Sequence, residues 1–262
     1  MLNTEASSFA NNGTEAAMLR KNPVERVGKI FKYDFMSYSR NLFPMCLMIL
    51  AVSLVLFIFS LIPGVSIFNN IDSSDPTGVV SLIMVTLWPT FAVAVFVCLV
   101  IMVGKNIKKS YFGNEAYLRM AFPVSVGEHM CGTILSGLLW FIIVSVVCIV
   151  SFTLVFGPEI GTAYLNADSF IEFLKTVLIA FTFITFIFIT EAIGSLFSKK
   201  KLLGQFLFII GVIIICEVVE HLILATLTFA MSNVITMVMI ALLGITFYVG
   251  TYFILKKKYN LE

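Results

Sequence analysis

The chain has 262 residues, of which 60% are hydrophobic and only 12% are charged, and its net charge at pH 7 is +2. Soluble globular domains are about 45–50% apolar and about 25% charged, so this composition excludes an ordinary soluble domain. The mean hydropathy of +1.03 and several apolar runs of about 20 residues, which is the length that crosses a bilayer core, predict an all-α integral membrane protein. We expect no nucleic-acid partner.

The amino-terminal part is polar and divides into two predicted segments. Residues 1–22 include Ser7, Ser8, Asn11, Asn12 and Gly13, which predicts a disordered cytoplasmic tail. In residues 23–41, apolar side chains such as Val27 and Ile30 recur at helical spacing, while basic ones such as Arg26 occupy other faces. This pattern predicts an amphipathic helix in the cytoplasmic interface of the membrane. The alternative is an ordinary extension of the first span.

Six apolar runs follow, and together they form a predicted transmembrane domain over residues 42–255. Each is predicted to be a helix, because backbone polar groups in lipid must be satisfied within the segment. The runs cover residues 42–62, 79–103, 129–156, 171–198, 202–221 and 234–255.

The basic residues predict the orientation of these spans. All but one of the 17 Lys and Arg residues precede the first span, lie between the second and third or the fourth and fifth spans, or follow the sixth, and the exception is Lys175. Cytoplasmic segments are enriched in Lys and Arg, so both termini are expected in the cytoplasm, with residues 256–262 as a basic tail. We expect a multi-pass membrane protein.

Residues 105–129 form a polar stretch between the second and third spans. Asn114 can cap a helix that begins at Glu115, where an acid favours the amino-terminal dipole, and Pro123 ends it. The sequence therefore predicts a short cytoplasmic helix over residues 115–121 that is attached at both ends to membrane helices. Such a helix can transmit force from a peripheral partner to two spans. The alternative is a solvated loop without a partner.

The motif G-x-E-x-Y-L-x-x-x-F-P-V-S in this stretch resembles the coupling-helix region of ABC-2 type ABC transporter permeases. The matching residues are Gly113, Glu115, Tyr117, Leu118, Phe122, Pro123, Val124 and Ser125. The stretch KIFKYDFMSYSRNLFP, near the start of the chain, is similar to the interfacial helix and first span of small bacterial members.

The resemblance implies a partner and an energy source. In that family a separate cytoplasmic ABC ATPase binds the coupling helix, and two permeases with two ATPases form the working unit. By this carry-over Glu115, Tyr117, Arg119 and Phe122 are candidates for the ATPase contact. ATP and Mg are expected on the partner subunit, because this chain has no G-x-x-x-x-G-K-[ST] motif of its own. A homodimer of the permease is expected.

Four ionisable residues lie in predicted spans, where they are costly and therefore candidates for function. They are Glu191 in the fourth span and Glu217, Glu220 and His221 in the fifth. Glu191 is expected to form an inter-helix hydrogen bond, with a role in lining a pathway as the alternative. Its nearest basic residues in sequence, Lys199–Lys201, are eight or more positions away, so direct pairing requires bending or a neighbouring span.

The other three residues share one helical face, because they follow i, i+3, i+4 spacing. Glu217 lies about 22 Å along the span from its start, which places it in the outer leaflet. Four interpretations stay open for this cluster: a structural polar cluster, a gate or cargo contact, a proton relay, or a metal site. The ten apolar residues 222–231 are too few to cross the membrane and predict a re-entrant segment between the fifth and sixth spans.

Three functions are compatible with the sequence. The first is the permease subunit of an ABC exporter, and its apolar spans suit amphipathic or hydrophobic cargo. By analogy with small bacterial family members, peptides are the expected cargo, with lipid-like molecules as another possibility. The second is a proton- or ion-coupled carrier that uses the intramembrane acids, and the third is a non-transporting immunity or scaffold protein. No nucleophile–base pair or metal-ligand motif indicates an enzyme.

Overall fold

In the computed structural model, residues 23–60, 76–113, 116, 124–156, 167–197, 200–226 and 229–259 are described. These residues are helical almost throughout, and no strand occurs among them. The helices are α1 (Pro23–Ser60), α2 (Pro76–Ile107), α3 (Val126–Phe156), α4 (Ala167–Leu196), α5 (Lys201–Thr226) and α6 (Phe229–Tyr259). Within the described ranges, six helices are long and apolar enough to cross a membrane, which indicates the predicted multi-pass membrane protein.

The first helix is longer than its predicted apolar run. α1 is one unbroken helix of 38 residues that starts at Pro23 and continues through Pro44 to Ser60. A proline at the first helical position is favourable, because its missing N–H has no helical partner there in any case. Residues 23–41 are therefore continuous with the first span in one helix. The location of this segment in the membrane interface stays a prediction.

The polar stretch 105–129 is helical at both ends. α2 continues into a π-helical turn, Lys108–Phe112, and α3 already begins at Val126. The connection between the two helices is thus shorter than the polar composition predicted. The predicted coupling helix over residues 115–121 lies outside the described residues except for Ala116, whose N–H donates to the Gly113 carbonyl oxygen at 3.1 Å.

The fifth and sixth helices take up most of the predicted re-entrant segment. α5 continues through Thr226 and α6 begins at Phe229, so only residues 227–228 of the predicted segment lie outside the described residues. α6 also includes Lys256–Lys258 in its last turn, where cations are favourable next to the helix carboxyl end. The predicted tails, 1–22 and the end of 256–262, lie outside the described residues.

The chain divides into two compact units. The first contains residues 1–34, 104–137 and 178–262, and the second contains residues 35–103 and 138–177. In the second unit, Trp88 donates to the Ser151 hydroxyl at 2.8 Å. Leu56 and Val155 are buried beside Trp88 in the same unit. The candidate functional site lies in the first unit.

Candidate functional site

The site is built around the π-helical turn Lys108–Phe112, which continues α2 toward the connection to α3. Single π-turns in helices are frequent at functional sites. Tyr111 in this turn is fully buried, and its ring lies edge-on to Phe188 of α4 with 5.0 Å between the ring centroids. The turn therefore directs a large aromatic side chain inward just before the chain leaves the helix.

The Tyr111 hydroxyl connects the two sides of this connection. It donates to the backbone carbonyl oxygen of His129 at 2.8 Å, and its oxygen lies 2.7 Å from the Thr133 hydroxyl oxygen. Thr133 in turn donates to the carboxylate of Asp34 in α1 at 2.6 Å. All four residues are buried. We name Asp34, Tyr111, His129 and Thr133 the Tyr111 cluster.

A second set of contacts holds the start of α3. Glu128 accepts a hydrogen bond from Arg26 of α1 at 2.9 Å and forms an ion pair with it. Its other carboxylate oxygen accepts from the Ser125 N–H at 3.3 Å, while the Ser125 hydroxyl accepts from the Glu128 N–H at 3.3 Å. This reciprocal pattern is a capping box, which satisfies backbone donors that have no helical partner. Glu128 therefore ties the end of the connection both to α3 and to α1.

The close approach of α1 to α3 depends on Gly132. A Cβ atom at this position would lie 2.8 Å from Ile30 Cγ2 and 3.3 Å from the Val27 carbonyl oxygen. The apolar face of the amino-terminal part of α1, which was predicted to face the membrane interface, is thus used in part to pack on α3. Its opposite face, with Lys29 and Lys32, is exposed.

The carboxyl-terminal half of α6 completes the site. Tyr248 donates to the Gly127 carbonyl oxygen in the first turn of α3 at 3.1 Å. The ammonium group of Lys258 lies 5.4 Å from the centre of the Phe112 ring, which is within the range of a cation–π contact. The π-helical turn and the start of α3 therefore share contacts with α1, α4 and α6.

The predicted ATPase contacts lie directly beside this site in the sequence. Gly113 follows the π-helical turn and is exposed, with extended backbone geometry. The other candidates lie outside the described residues, and they are Glu115, Tyr117, Leu118, Arg119, Phe122 and Pro123. The end of the motif is described, because Ser125 forms the capping box with Glu128.

The candidate residue in α4 has an ionic partner. Glu191 lies 3.4 Å from the ammonium group of Lys201, the first residue of α5, and the Glu191 side chain is largely shielded from solvent, while that of Lys201 is about one-third exposed. The predicted inter-helix contact is thus an ion pair supplied by the neighbouring span. The carboxylate oxygen nearest Lys201 has no donor in hydrogen-bond geometry, so the attraction is one of charge.

The candidates in α5 are separate from Glu191. Glu217 and His221 lie 3.9 Å apart, and their side chains are 67% and 81% exposed. Glu217 lies sixteen residues from the start of α5, which corresponds to about 24 Å, and His221 lies farther along, so the structure does not bring them together with Glu191. The Glu220 side chain lies outside the described residues. Among the described residues, no group of three or more His, Cys, Asp or Glu side chains is arranged to hold a metal ion.

Sequence reasoning did not identify Asp34, Tyr111 and Thr133 as members of one cluster. The Ser125–Glu128 spacing is a known signal for a helix start and could have placed the first turn of α3 correctly. No sequence signal marks the partners of Tyr111, because the relevant residues lie on three separate segments of the chain.

Comparisons with known proteins identify no relative of this chain. No protein-family model, no curated protein and no solved structure matches this chain.

Proposed function

We propose that this chain is the membrane-spanning permease subunit of an ABC exporter, driven by ATP that a separate cytoplasmic subunit hydrolyses. The cargo is amphipathic or hydrophobic, with peptides as the first candidates, and two copies of the chain form the pathway. The proposal places the chain in the bacterial cytoplasmic membrane with both termini in the cytoplasm.

The observation that carries the proposal is the pair of contacts made by the Tyr111 hydroxyl. Tyr111 precedes the connection between α2 and α3, whereas His129 and Thr133 follow it. A partner that displaces this connection would pull on two helix ends that are joined by the Tyr111–His129 hydrogen bond and by the 2.7 Å contact with Thr133. The displacement would therefore move α2 and α3 together instead of distorting a loop.

The ties to α1 extend the same argument. Asp34 and Arg26 connect α1 to α3 at 2.6 Å and 2.9 Å, one through Thr133 and the other through Glu128. Both α1 residues lie within the same compact unit as the connection. Force applied at the predicted coupling helix would reach the amino-terminal part of α1 by two independent routes. Such bracing suits a transmission element better than a solvated loop.

The carrier alternative has weaker support. A proton- or ion-coupled carrier needs its ionisable groups along one path through the membrane. Glu191 pairs with Lys201 at the start of α5, and Glu217 pairs with His221 far along the same helix. A distance of about 24 Å along the helix separates the two pairs, and this is most of the thickness of a bilayer core.

The test is purification of the tagged chain from its native membranes in a mild detergent, followed by measurement of ATP hydrolysis and of co-purifying proteins. We expect an ABC ATPase in stoichiometric amount. The combined change Glu115→Ala, Tyr117→Ala and Arg119→Ala is expected to remove it while the chain remains folded.

The matched control is the pair Glu172→Ala and Lys175→Ala, at the predicted outer end of α4, which should leave the ATPase bound. A known ABC complex purified in parallel shows that the detergent preserves such assemblies. Elution of the chain without an ATPase under those conditions would reject the proposal and direct attention to the ionisable pairs of α4 and α5.

A further inference from the structure

α5 is the least covered span of the described chain. Only 6% of its most apolar stretch, Lys201–Val218, is buried, whereas 39% is buried in the corresponding stretch of α4. Lipid can cover apolar side chains, so low burial alone is no sign of a partner. The helix nevertheless carries ionisable side chains on the same uncovered surface.

These side chains continue an apolar line on one face of the helix. The line consists of Leu203, Phe206, Ile210, Ile213 and Glu217, and we name it the α5 stripe. All five are exposed, and their spacing alternates between three and four residues, as in helices that pair along a seam. Glu217 and its neighbour His221 stand at the end of this seam.

Lipid is a poor cover for that end of the stripe. Glu217 lies about 24 Å along α5 from Lys201, within a hydrocarbon core of about 30 Å. Its only described polar contact is His221 at 3.9 Å, at the upper limit for an ion pair. Ionisable groups at membrane depth face a protein partner or a water-filled cavity in nearly all membrane proteins. The exposed pair therefore requires polar cover that this copy of the chain does not supply in its described residues.

We infer that a second copy of the chain covers the α5 stripe, with the two α5 helices side by side around a two-fold axis along the membrane normal. In that arrangement Glu217 of each copy pairs with the partner's His221, and the reverse pair follows from symmetry. The two residues are four positions apart, about 6 Å along the axis, which is close to the stagger of cross-helix charge pairs in parallel coiled coils. The Glu217–His221 pair of one copy is thus complementary to the same pair of the second copy.

The inference deepens the homodimer of the proposed function, because it assigns the interface and makes the Glu217–His221 pairs its polar end. It does not depend on the ATPase. Gly211 lies on another side of α5, which is also uncovered, because a Cβ atom there would have no atom within 4 Å. That side offers no comparable charge complementarity, so the stripe is the preferred interface. The second copy is favoured over an unrelated protein because one helix carries both members of the charge pair.

The test is disulfide cross-linking in native membranes, without ATP, of full-length chains whose five cysteines have been replaced by Ala. Ile213→Cys places a thiol in the stripe, and Ile215→Cys places one on another face of the same helix with similar exposure, 62% against 53%. We expect covalent dimers to form at least ten times faster with Ile213→Cys. Phe206→Cys provides a second position in the stripe if Ile213→Cys does not accumulate in the membrane.

Equal cross-linking of the two positions, or faster cross-linking at Ile215→Cys, would overturn the inference, as would cross-linking of the stripe to a different protein. Co-purification of the ATPase is measured separately, so failure of the interface and failure of the proposed function give different results.

A charge exchange tests the self-complementary pair. The fraction of dimers is measured by single-molecule photobleaching of labelled chains at low density in lipid vesicles. The single changes Glu217→His and His221→Glu are expected to lower the dimer fraction at least fivefold, because each leaves like groups facing each other. The two changes together regenerate the pairs in reverse order and are expected to restore it. A double variant no better than the singles would contradict the cross-pairing.

Discussion

The hydroxyl of Thr133 donates a hydrogen bond of 2.6 Å to the carboxylate of Asp34, and both side chains are buried. The contact joins α1 to α3 across 99 positions of the chain. A buried carboxylate is tolerated only where hydrogen-bond donors replace the water that it loses. Thr133 is therefore part of what allows an acid in the interior of this unit, and its hydroxyl oxygen also lies 2.7 Å from the Tyr111 hydroxyl.

The first prediction concerns this hydrogen bond. Thr133→Val keeps the shape of the side chain but removes the donor to Asp34, and we expect it to lower the free energy of unfolding by about 1–3 kcal/mol. Thr133→Ser, the matched control, keeps the hydroxyl and should lose clearly less. Unfolding in mixed detergent micelles, followed by circular dichroism, measures both. Equal stability of the two variants would show that the hydrogen bond does not contribute.

The second prediction separates the hydroxyl of Tyr111 from its ring. Tyr111→Phe keeps the edge-on contact with Phe188 and loses the hydrogen bond to His129, so we expect a destabilisation of about 1–2 kcal/mol. Tyr111→Ala also leaves a cavity and should cost about 3–5 kcal/mol. Tyr33→Phe is the control, since Tyr33 is 75% exposed. A Tyr111→Phe variant as stable as Tyr33→Phe would contradict the role of the hydroxyl.

The third prediction concerns the packing of α1 on α3. Gly132→Ala places a methyl group 2.8 Å from Ile30 Cγ2, and such overpacking is expected to cost about 1–3 kcal/mol. Gly28→Ala is the control, because a Cβ atom at this position would have no atom within 4 Å. Helix propensity favours Ala over Gly by about 1 kcal/mol, so this variant should not lose stability.

Adding Ile30→Ala to the Gly132→Ala variant removes Ile30 Cγ2, the atom that lies nearest to the new methyl group, and leaves Ile30 Cβ at 3.0 Å. Ile30→Ala should then lower the free energy of unfolding by less in the Gly132→Ala variant than in the wild-type chain. Full additivity of the two changes would show that the helices do not meet at this point.

The fourth prediction divides the two roles of Glu128. Glu128→Gln keeps a capping-box residue but removes the charge that pairs with Arg26, so a loss of about 0.5–1 kcal/mol is expected for a partly exposed pair. Glu128→Ala also removes the cap, and the loss should be greater by about 1 kcal/mol. Protection of the first amides of α3 in hydrogen exchange should fall only in Glu128→Ala. The same loss of protection in both variants would contradict this division.

The fifth prediction concerns Glu191 and Lys201, which lie 3.4 Å apart. Lys201→Met leaves Glu191 without its ionic partner, and we expect a lower thermal unfolding temperature. The combination with Glu191→Gln should be less destabilised than the sum of the single variants, because neither charge then remains alone. Lys201 is about one-third exposed, so a coupling below about 1 kcal/mol is expected. Strict additivity of the two changes would show that the ion pair does not contribute to stability.

The number of spans could be predicted from the sequence alone because apolar runs of sufficient length have few other uses. The ends of the helices could not be predicted in this way. Hydropathy falls where contact with lipid ends, but helical hydrogen bonds continue wherever the backbone can still form them. α2 thus extends through Lys105 into the π-helical turn, and α6 extends through Lys258.

The sequence also indicated which residues deserved a functional hypothesis. Ionisable side chains are rare in apolar runs, so the positions of Glu191, Glu217 and His221 within such runs marked them as candidates. The shared face of Glu217 and His221 follows from helical periodicity. The motif between Gly113 and Ser125 was identified by its resemblance to a known family, and its role stays a prediction.

Only the tertiary structure decided which of these residues meet. Asp34, Tyr111 and Thr133 come from three segments, and Glu191 finds its partner at the start of the next helix. Periodicity assigns a residue to a face of its own helix, but it does not state which face of another helix lies opposite. That choice depends on close packing, such as the approach of Ile30 to Gly132, and close packing is a property of the assembled helices.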